Sequence, residues 1–97
     1  MSVVIVGGNE RMERQYEDIC SRYGWKAKVF TKENGTLKKK MGRPDLLILF
    51  TGTTSHKMVI SAAQEAKRNN IPVERVHSSS AAALHGVMSA YAVGAGM

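Results

Sequence analysis

Hydroxyl, imidazole and amine groups follow an uninterrupted apolar run near the middle of this chain. The apolar run is Leu46 to Phe50, and the next seven residues include three threonines, a serine, a histidine and a lysine. A run without alternation is typical of a strand buried on both faces of a parallel sheet, and such sheets bind ligands at the carboxyl ends of their strands. Because hydroxyl and cationic groups bind phosphate oxygens, this segment predicts an anion-binding site. Its candidate ligand-binding residues are Thr51, Thr53, Thr54, Ser55, His56 and Lys57.

Two other apolar runs also end in small polar residues. Residues 2–6 lead into a turn with two glycines, and residues 71–76 lead into a histidine and three serines. Glycines let backbone N–H groups approach a ligand, although a turn that simply needs glycine torsion angles has the same composition. Serines at the start of a helix either cap it or bind phosphate. The two turns add the candidate ligand-binding residues Gly7, Gly8, Asn9, His77, Ser78, Ser79 and Ser80.

The charge of the chain favours a polyanionic partner. Fourteen lysines and arginines face eight acids, which gives a formal net charge of +6 and a pI near 9.8. Such a balance is typical of proteins that bind nucleic acid, but it also occurs in proteins that are basic for solubility alone. A basic run between the second and third predicted strands extends the candidate site toward a phosphate backbone. The candidate nucleic-acid-binding residues there are Lys32, Lys38, Lys39, Lys40 and Arg43.

The sequence contains no complete catalytic or cofactor motif. No carboxylate follows the strands to orient His56 or His77, because Asp45 precedes its strand, so we expect no catalytic residues. The glycine turn does not continue as G-x-G-x-x-G, and the threonine segment is not a P-loop, so we expect no nucleotide cofactor. Cys20 is the single cysteine, and its helical spacing predicts a buried structural thiol. We expect neither a disulfide nor a metal site.

The hydrophobic pattern predicts a single α/β domain over residues 1–97. Strands and helices alternate, with a helix over residues 56–68 and a loop with one or two helical turns near residues 36–41. Right-handed crossovers then give a small doubly wound parallel sheet of four strands in the order 2-1-3-4, a Rossmann/flavodoxin-like fold. Lys26 and Lys28 alternate with apolar residues, which predicts an edge position for the second strand.

The segment over residues 81–97 is almost uncharged and predicts a helix to about residue 93, followed by a frayed tail. Leu84, Val87, Met88 and Tyr91 share one side of this helix, and a large apolar side usually marks an interface. We therefore expect a homodimer built on residues 81–97. The chain begins directly in a strand and lacks long apolar runs, so we expect a cytoplasmic protein without a membrane partner.

The ordered set of motifs resembles a widespread bacterial family of small domains of unknown function. The motifs are Val4 to Asn9, Pro44 to Thr51, Ser55 to Lys57, Ile71-Pro72 and His77 to Ser80. The resemblance implies a compact Rossmann-like domain with a suggested role in binding nucleic acid, RNA in particular, and no established enzyme activity. The uncharged segment over residues 81–97 departs from the charged last helix that this family implies.

The leading hypothesis is therefore non-enzymatic binding of nucleic acid, with RNA or single strands preferred, through phosphate contacts at the carboxyl ends of the strands. The alternative is a sensor or enzyme that uses the same residues for a small phosphorylated ligand. In that case His56 and His77 are the polar groups to test.

Overall fold

The structure, a computed structural model, describes residues 1–31 and 41–95, and the side chains of residues 1–31 and 41–91. The helical turn predicted near residues 36–41 lies, apart from Met41, outside the described residues, as do Lys32, Lys38, Lys39 and Lys40. The elements in chain order are β1 (Ser2–Val6), a 3-10 turn (Glu10–Met12), α1 (Glu13–Arg22), β2 (Lys26–Phe30), β3 (Leu46–Phe50), α2 (His56–Arg68), β4 (Val73–Val76) and α3 (Ala81–Ala95).

The four strands form one sheet in the order β2-β1-β3-β4, and every neighbouring pair is parallel. β1 and β3 occupy the centre, where each has a strand on both sides and helices on both faces. Val3 to Val6 and all five residues of β3 are accordingly buried. The predicted α/β class and strand order are confirmed.

The edge strands differ from the central ones in their exposure. Lys26 and Lys28 of β2 are exposed, whereas Ala27 and Val29 pack against the core. This confirms the edge position that the alternation predicted. At the other edge, β4 is short and carries an exposed arginine, Arg75.

Helices cover both faces of the sheet. Val3 and Ile5 of β1 pack in a core with α1 and α3, and we call that side the α1/α3 face. Val4 and Val6 pack in a second core with α2 and Met41, and we call that side the α2 face.

Cys20 lies in the core of the α1/α3 face, as its helical spacing predicted. Its side chain is fully buried, and burial raises the pKa of the thiol to about 11. The thiol is therefore protonated at neutral pH, and a protonated thiol is a poor nucleophile.

The apolar side of α3 is covered within one chain. Leu84 and Met88 have no exposed surface, and Val87 and Tyr91 pack against the same core. The opposite side of the helix presents small residues to solvent, among them Ala82, Gly86 and Ser89. The homodimer stays a prediction. Its interface would have to use this opposite side of α3 or an exchange of α3 between chains. The helix continues to Ala95, two residues beyond its predicted end.

Candidate functional site

The three polar segments identified in the sequence lie together at one edge of the sheet, because all four strands are parallel. We call residues 7–9, 51–55 and 77–80 the carboxyl-end loops. Backbone hydrogen bonds join the first loop to β2 and the second loop to the third. Gly7 N donates to the carbonyl of Phe30 at 2.9 Å, and Gly52 N donates to the carbonyl of His77 at 3.1 Å.

The two glycines of the first loop are required by conformation and by space. Gly7 and Gly8 have φ values of +97° and +90°, a region that side chains with a Cβ avoid. A Cβ at Gly7 would lie 1.8 Å from Oγ1 of Thr54, and a Cβ at Gly8 would lie 2.7 Å from the ring of Tyr16. The N–H groups of both glycines also have protein partners. The structure thus supports the conformational interpretation of this turn, and a ligand role for it stays a prediction.

The threonines of the second loop fasten β1 to β3. Oγ1 of Thr53 accepts a hydrogen bond from Gly8 N at 2.8 Å. Oγ1 of Thr54 donates to the carbonyl of Phe50 at 2.7 Å and lies 3.3 Å from the carbonyl of Val6. These hydroxyls position the loops, and a ligand would have to compete for them.

The serines of the third loop begin α3 and hold it against α1. Oγ of Ser80 accepts from Ala83 N at 3.1 Å, which is an N-terminal cap, and Ser78 Oγ lies 3.2 Å from Ser80 Oγ. The hydroxyl of the buried Tyr16 donates to the carbonyl of Ser79 at 2.7 Å and accepts from Asn9 N at 3.3 Å. Tyr16 therefore joins the first loop to the third.

His56, Lys57 and His77 remain available at this edge. All three side chains are exposed, and none of them has a hydrogen bond or ion pair with another described residue. Ser55 caps α2, which begins with His56 and Lys57, since its Oγ accepts from Met58 N at 3.2 Å. The two histidines face different surroundings: His56 borders a cleft, and the carbonyl of His77 is bonded to the second loop.

The cleft beside His56 has a volume of about 450 Å³ and lies between α2 and β4. We call it the α2/β4 cleft. Thr51 and Thr54 border its loop end. Its other walls are His56, Val59, Ile60, Ala63 and Gln64 from α2 and Arg75 from β4.

Sequence reasoning missed Gln64 and Arg75 as site residues. The sequence did contain a signal for Arg75. A charged residue inside a short strand marks β4 as an edge strand, just as Lys26 and Lys28 mark β2. A second hollow, of about 310 Å³, brings the predicted residue Arg43 beside Lys26, Lys28 and Met41 at the β2 edge. Ser2 and Pro44 also line this hollow, so Arg43 lies at the amino end of the sheet. It does not extend the site at the carboxyl-end loops, although the sequence had predicted that it would.

The charges of the described residues are segregated between the two faces of the sheet. The α1/α3 face carries five acids and three arginines, and the α2 face carries seven basic residues and one acid, Glu65. Asp45 lies at the amino end of the sheet, where its carboxylate accepts from Ser2 N at 2.7 Å. The α1/α3 set is Glu10, Glu13, Glu17, Asp18 and Glu74 with Arg11, Arg14 and Arg22, and the basic residues of the α2 face are Lys26, Lys28, Arg43, Lys57, Lys67, Arg68 and Arg75.

Contacts show on which face of the sheet each charged strand residue lies. Glu74 accepts a hydrogen bond from Tyr91 of α3 at 3.2 Å, which places it on the α1/α3 face. Arg75, the next residue, borders the α2/β4 cleft. Lys26 and Lys28 border the hollow that contains Met41, a core residue of the α2 face.

Two features are absent from the described residues 1–31 and 41–95. No three His, Cys, Asp or Glu side chains lie close enough together there to hold a metal ion. No helix in these ranges combines the length and apolar character needed to cross a bilayer.

These observations define a small α/β protein with a parallel sheet, one cationic face and polar loops at the carboxyl ends of its strands. The family of uncharacterized proteins conserved in bacteria, DUF2325, matches residues 2–91, and the chain belongs to it. The resemblance to a bacterial family of unknown function is thereby confirmed. The description of the family states no function, so it lends no support to nucleic-acid binding.

No curated protein matches the chain. A similar solved structure is the lactose-specific IIB component domain of the phosphoenolpyruvate:carbohydrate phosphotransferase system from Streptococcus pneumoniae. It is 13% identical, the match covers 97% of this chain and 91% of that one, and the TM-score is 0.59. At this identity the likeness concerns the fold alone.

Proposed function

We propose that this protein binds nucleic acid without catalysis, with RNA or single strands preferred, through phosphate contacts on the α2 face and the adjoining carboxyl-end loops. The observation that carries the proposal is the segregation of charge across the sheet. A basic composition that served solubility alone would not require the cations to collect on one face. A polyanion that lies along the protein does require it.

The arrangement of the cations fits an extended phosphate backbone better than one compact anion. Lys26 and Arg43 lie at the β2 edge, Lys67 and Arg68 lie at the end of α2, and Arg75 lies at the β4 edge. The basic residues therefore span the sheet from edge to edge. Contacts to four to six phosphates of a single strand give a log–log dependence of affinity on salt with a slope of roughly −3 to −4.

The imidazole groups fit binding better than catalysis. Among the described residues, no carboxylate is hydrogen-bonded to His56 or His77, so neither histidine has the orienting partner of a catalytic base. His85 pairs with the hydroxyl of Tyr23, at 3.2 Å, between α1 and α3.

Two triple variants of equal charge test the proposal. Lys26→Gln, Arg43→Gln and Lys67→Gln together remove three cations from the α2 face. Arg11→Gln, Arg14→Gln and Arg22→Gln together remove three exposed cations from the α1/α3 face. Glutamine keeps much of each side-chain stem, so the comparison isolates charge and its position.

The assay is fluorescence anisotropy of a labelled single-stranded RNA, measured from 50 to about 300 mM salt, where the slope reports phosphate contacts. We expect the α2-face variant to bind at least about tenfold more weakly near 0.1 M salt and to lose about 2 units of slope. We expect the α1/α3-face variant to bind like the wild type. Equal losses in the two variants, or no binding by the wild type at low salt, would contradict the proposal.

The alternative, a small phosphorylated ligand, predicts a different pattern when binding of that ligand is measured with the same α2-face variant. A compact anion contacts few cations, so the triple variant of the α2 face would keep its ligand, while His56→Ala would lose it. The presence of His56 and Arg75 in one cleft is the observation that favours this second candidate.

A further inference from the structure

The α2/β4 cleft has features that the charge of the α2 face does not explain. Ile60 is 43% exposed there, and Met1 is the other exposed large apolar residue in the described part of the chain. A volume of about 450 Å³ is within the range of small-molecule sites, roughly 300 to 1,000 Å³. A surface that bound only a phosphate backbone would need no such hollow.

The polar and apolar groups of the cleft are ordered along α2. His56, Ile60 and Gln64 are spaced four residues apart, so they form one row along the helix, of about 12 Å at 1.5 Å per residue. Val59 and Ala63 form the adjacent row toward the sheet. The cleft therefore offers an imidazole at the loop end, an aliphatic surface in the middle and a carboxamide at the far end.

Arg75 supplies a cation to this cleft from the facing strand. It pairs with Leu49 near the carboxyl end of β3, so its backbone lies toward the same end of the sheet as His56. Its guanidinium has no hydrogen bond or ion pair with any described residue. A guanidinium that no other described residue engages is well suited to hold a phosphate with two hydrogen bonds.

We propose that the α2/β4 cleft holds one unpaired nucleotide of a bound strand, and this inference rests on the proposed function. Its phosphate contacts Arg75 and His56, and its base lies on Ile60 and Val59. The carboxamide of Gln64, which both donates and accepts, contacts the edge of the base. A duplex keeps its bases stacked and paired, so the cleft gives the protein its preference for single strands.

The first experiment compares a single-stranded oligonucleotide with a duplex of the same sequence at one salt concentration. The variant is Ile60→Ser, which removes apolar surface at an exposed position and hardly alters helix propensity. We expect Ile60→Ser to weaken single-strand binding about fivefold, which equals the low end of the loss for an aromatic stacking partner, and to leave duplex binding unchanged. The control Lys67→Gln removes a charge outside the cleft, and it should weaken binding of both substrates by similar factors.

The second experiment identifies the nucleotide as the occupant. We expect millimolar nucleoside 5′-monophosphate to shift the backbone amide signals of His56, Ile60 and Gln64 in an NMR titration, and inorganic phosphate to leave Ile60 and Gln64 unchanged. Equal shifts with inorganic phosphate would show that the cleft holds only a phosphate group and would overturn the inference.

The outcomes separate this inference from the proposed function. Suppose that the wild type binds oligonucleotides, but Ile60→Ser weakens the binding of single strands and duplexes equally or weakens neither. The cleft then does not hold a base, and the proposal of phosphate contacts on the α2 face is unaffected. If no oligonucleotide binds while the monophosphate shifts the cleft signals, both proposals fail in favour of a small phosphorylated ligand.

Discussion

The contact between Gly7 and Thr54 gives a sharp test of how the carboxyl-end loops are held together. In Gly7→Ala the new Cβ would lie 1.8 Å from Oγ1 of Thr54, at a residue whose φ is +97°. The left-handed conformation costs an alanine about 1–2 kcal/mol. The displaced Thr54 loses its hydrogen bond to Phe50, about 1 kcal/mol, and local distortion adds about 1 kcal/mol. The expected total loss in the free energy of unfolding is about 3–4 kcal/mol.

Gly24→Ala is the matched control, because Gly24 also has a positive φ, +79°, but nothing lies within 4 Å of a Cβ there. It should cost only the conformational term, about 1–2 kcal/mol. In urea unfolding, with a slope of roughly 1 kcal/mol per molar for a chain of this size, the two midpoints should differ by about 2 M. Adding Thr54→Ala to Gly7→Ala removes the 1.8 Å contact, so the double variant should be no less stable than Gly7→Ala. If Gly7→Ala and Gly24→Ala unfold at the same urea concentration, Thr54 is not locked beneath Gly7 and the description of this loop is wrong.

Two further predictions concern the core of the α1/α3 face. Tyr16→Phe leaves the carbonyl of Ser79 and the N–H of Asn9 without their partner, so it should cost about 1–2 kcal/mol and speed hydrogen exchange at the Asn9 amide, whereas Tyr23→Phe should leave that amide unchanged. Unchanged exchange at Asn9 in Tyr16→Phe would show that Tyr16 does not hold the loop. Burial raises the pKa of Cys20 from 9.0 to about 11, so folding opposes loss of the thiol proton. The contribution of the protonated thiol to the free energy of unfolding is fully present below pH 9 and is lost as the pH rises toward 11. The wild type should therefore lose stability over this range more steeply than Cys20→Ala. Parallel pH profiles would contradict the burial of the thiol.

The fold was predictable because it depends on patterns that are local in sequence. β1 and β3 lack alternation since both of their faces are covered, and the alternation of Lys26 and Lys28 reports one wetter face at an edge. The start of α2 at His56 was equally visible, because Ser55 is a cap that acts within one turn of helix.

The hydrogen bonds of the carboxyl-end loops were not predictable in the same way. Threonine and serine side chains serve equally well to bind a ligand and to fasten a loop, and the partner decides between these roles. The partner of Thr53 is Gly8, 45 residues away, and the partner of Tyr16 is Ser79, 63 residues away. Only the three-dimensional structure shows that these groups are already paired.

The distribution of charge over the two faces likewise depends on the fold. The net charge of +6 is visible in the sequence, but it does not specify a surface. Glu74 and Arg75 are neighbours in β4, and they point to opposite faces because side chains alternate along a strand. A shift of one residue in the register of β4 would exchange them, placing a carboxylate in the α2/β4 cleft and the arginine beneath α3. Two features therefore turn a basic composition into a basic face. One is the register of β2 and β4, which decides which of their side chains point to the α2 face, and the other is the crossover that places the acidic α1 on the opposite side. Any variant that kept the composition but moved these charges between faces should lose binding to a polyanion while keeping its net charge. The charge-matched triple variants therefore test the proposal more directly than a change in net charge does.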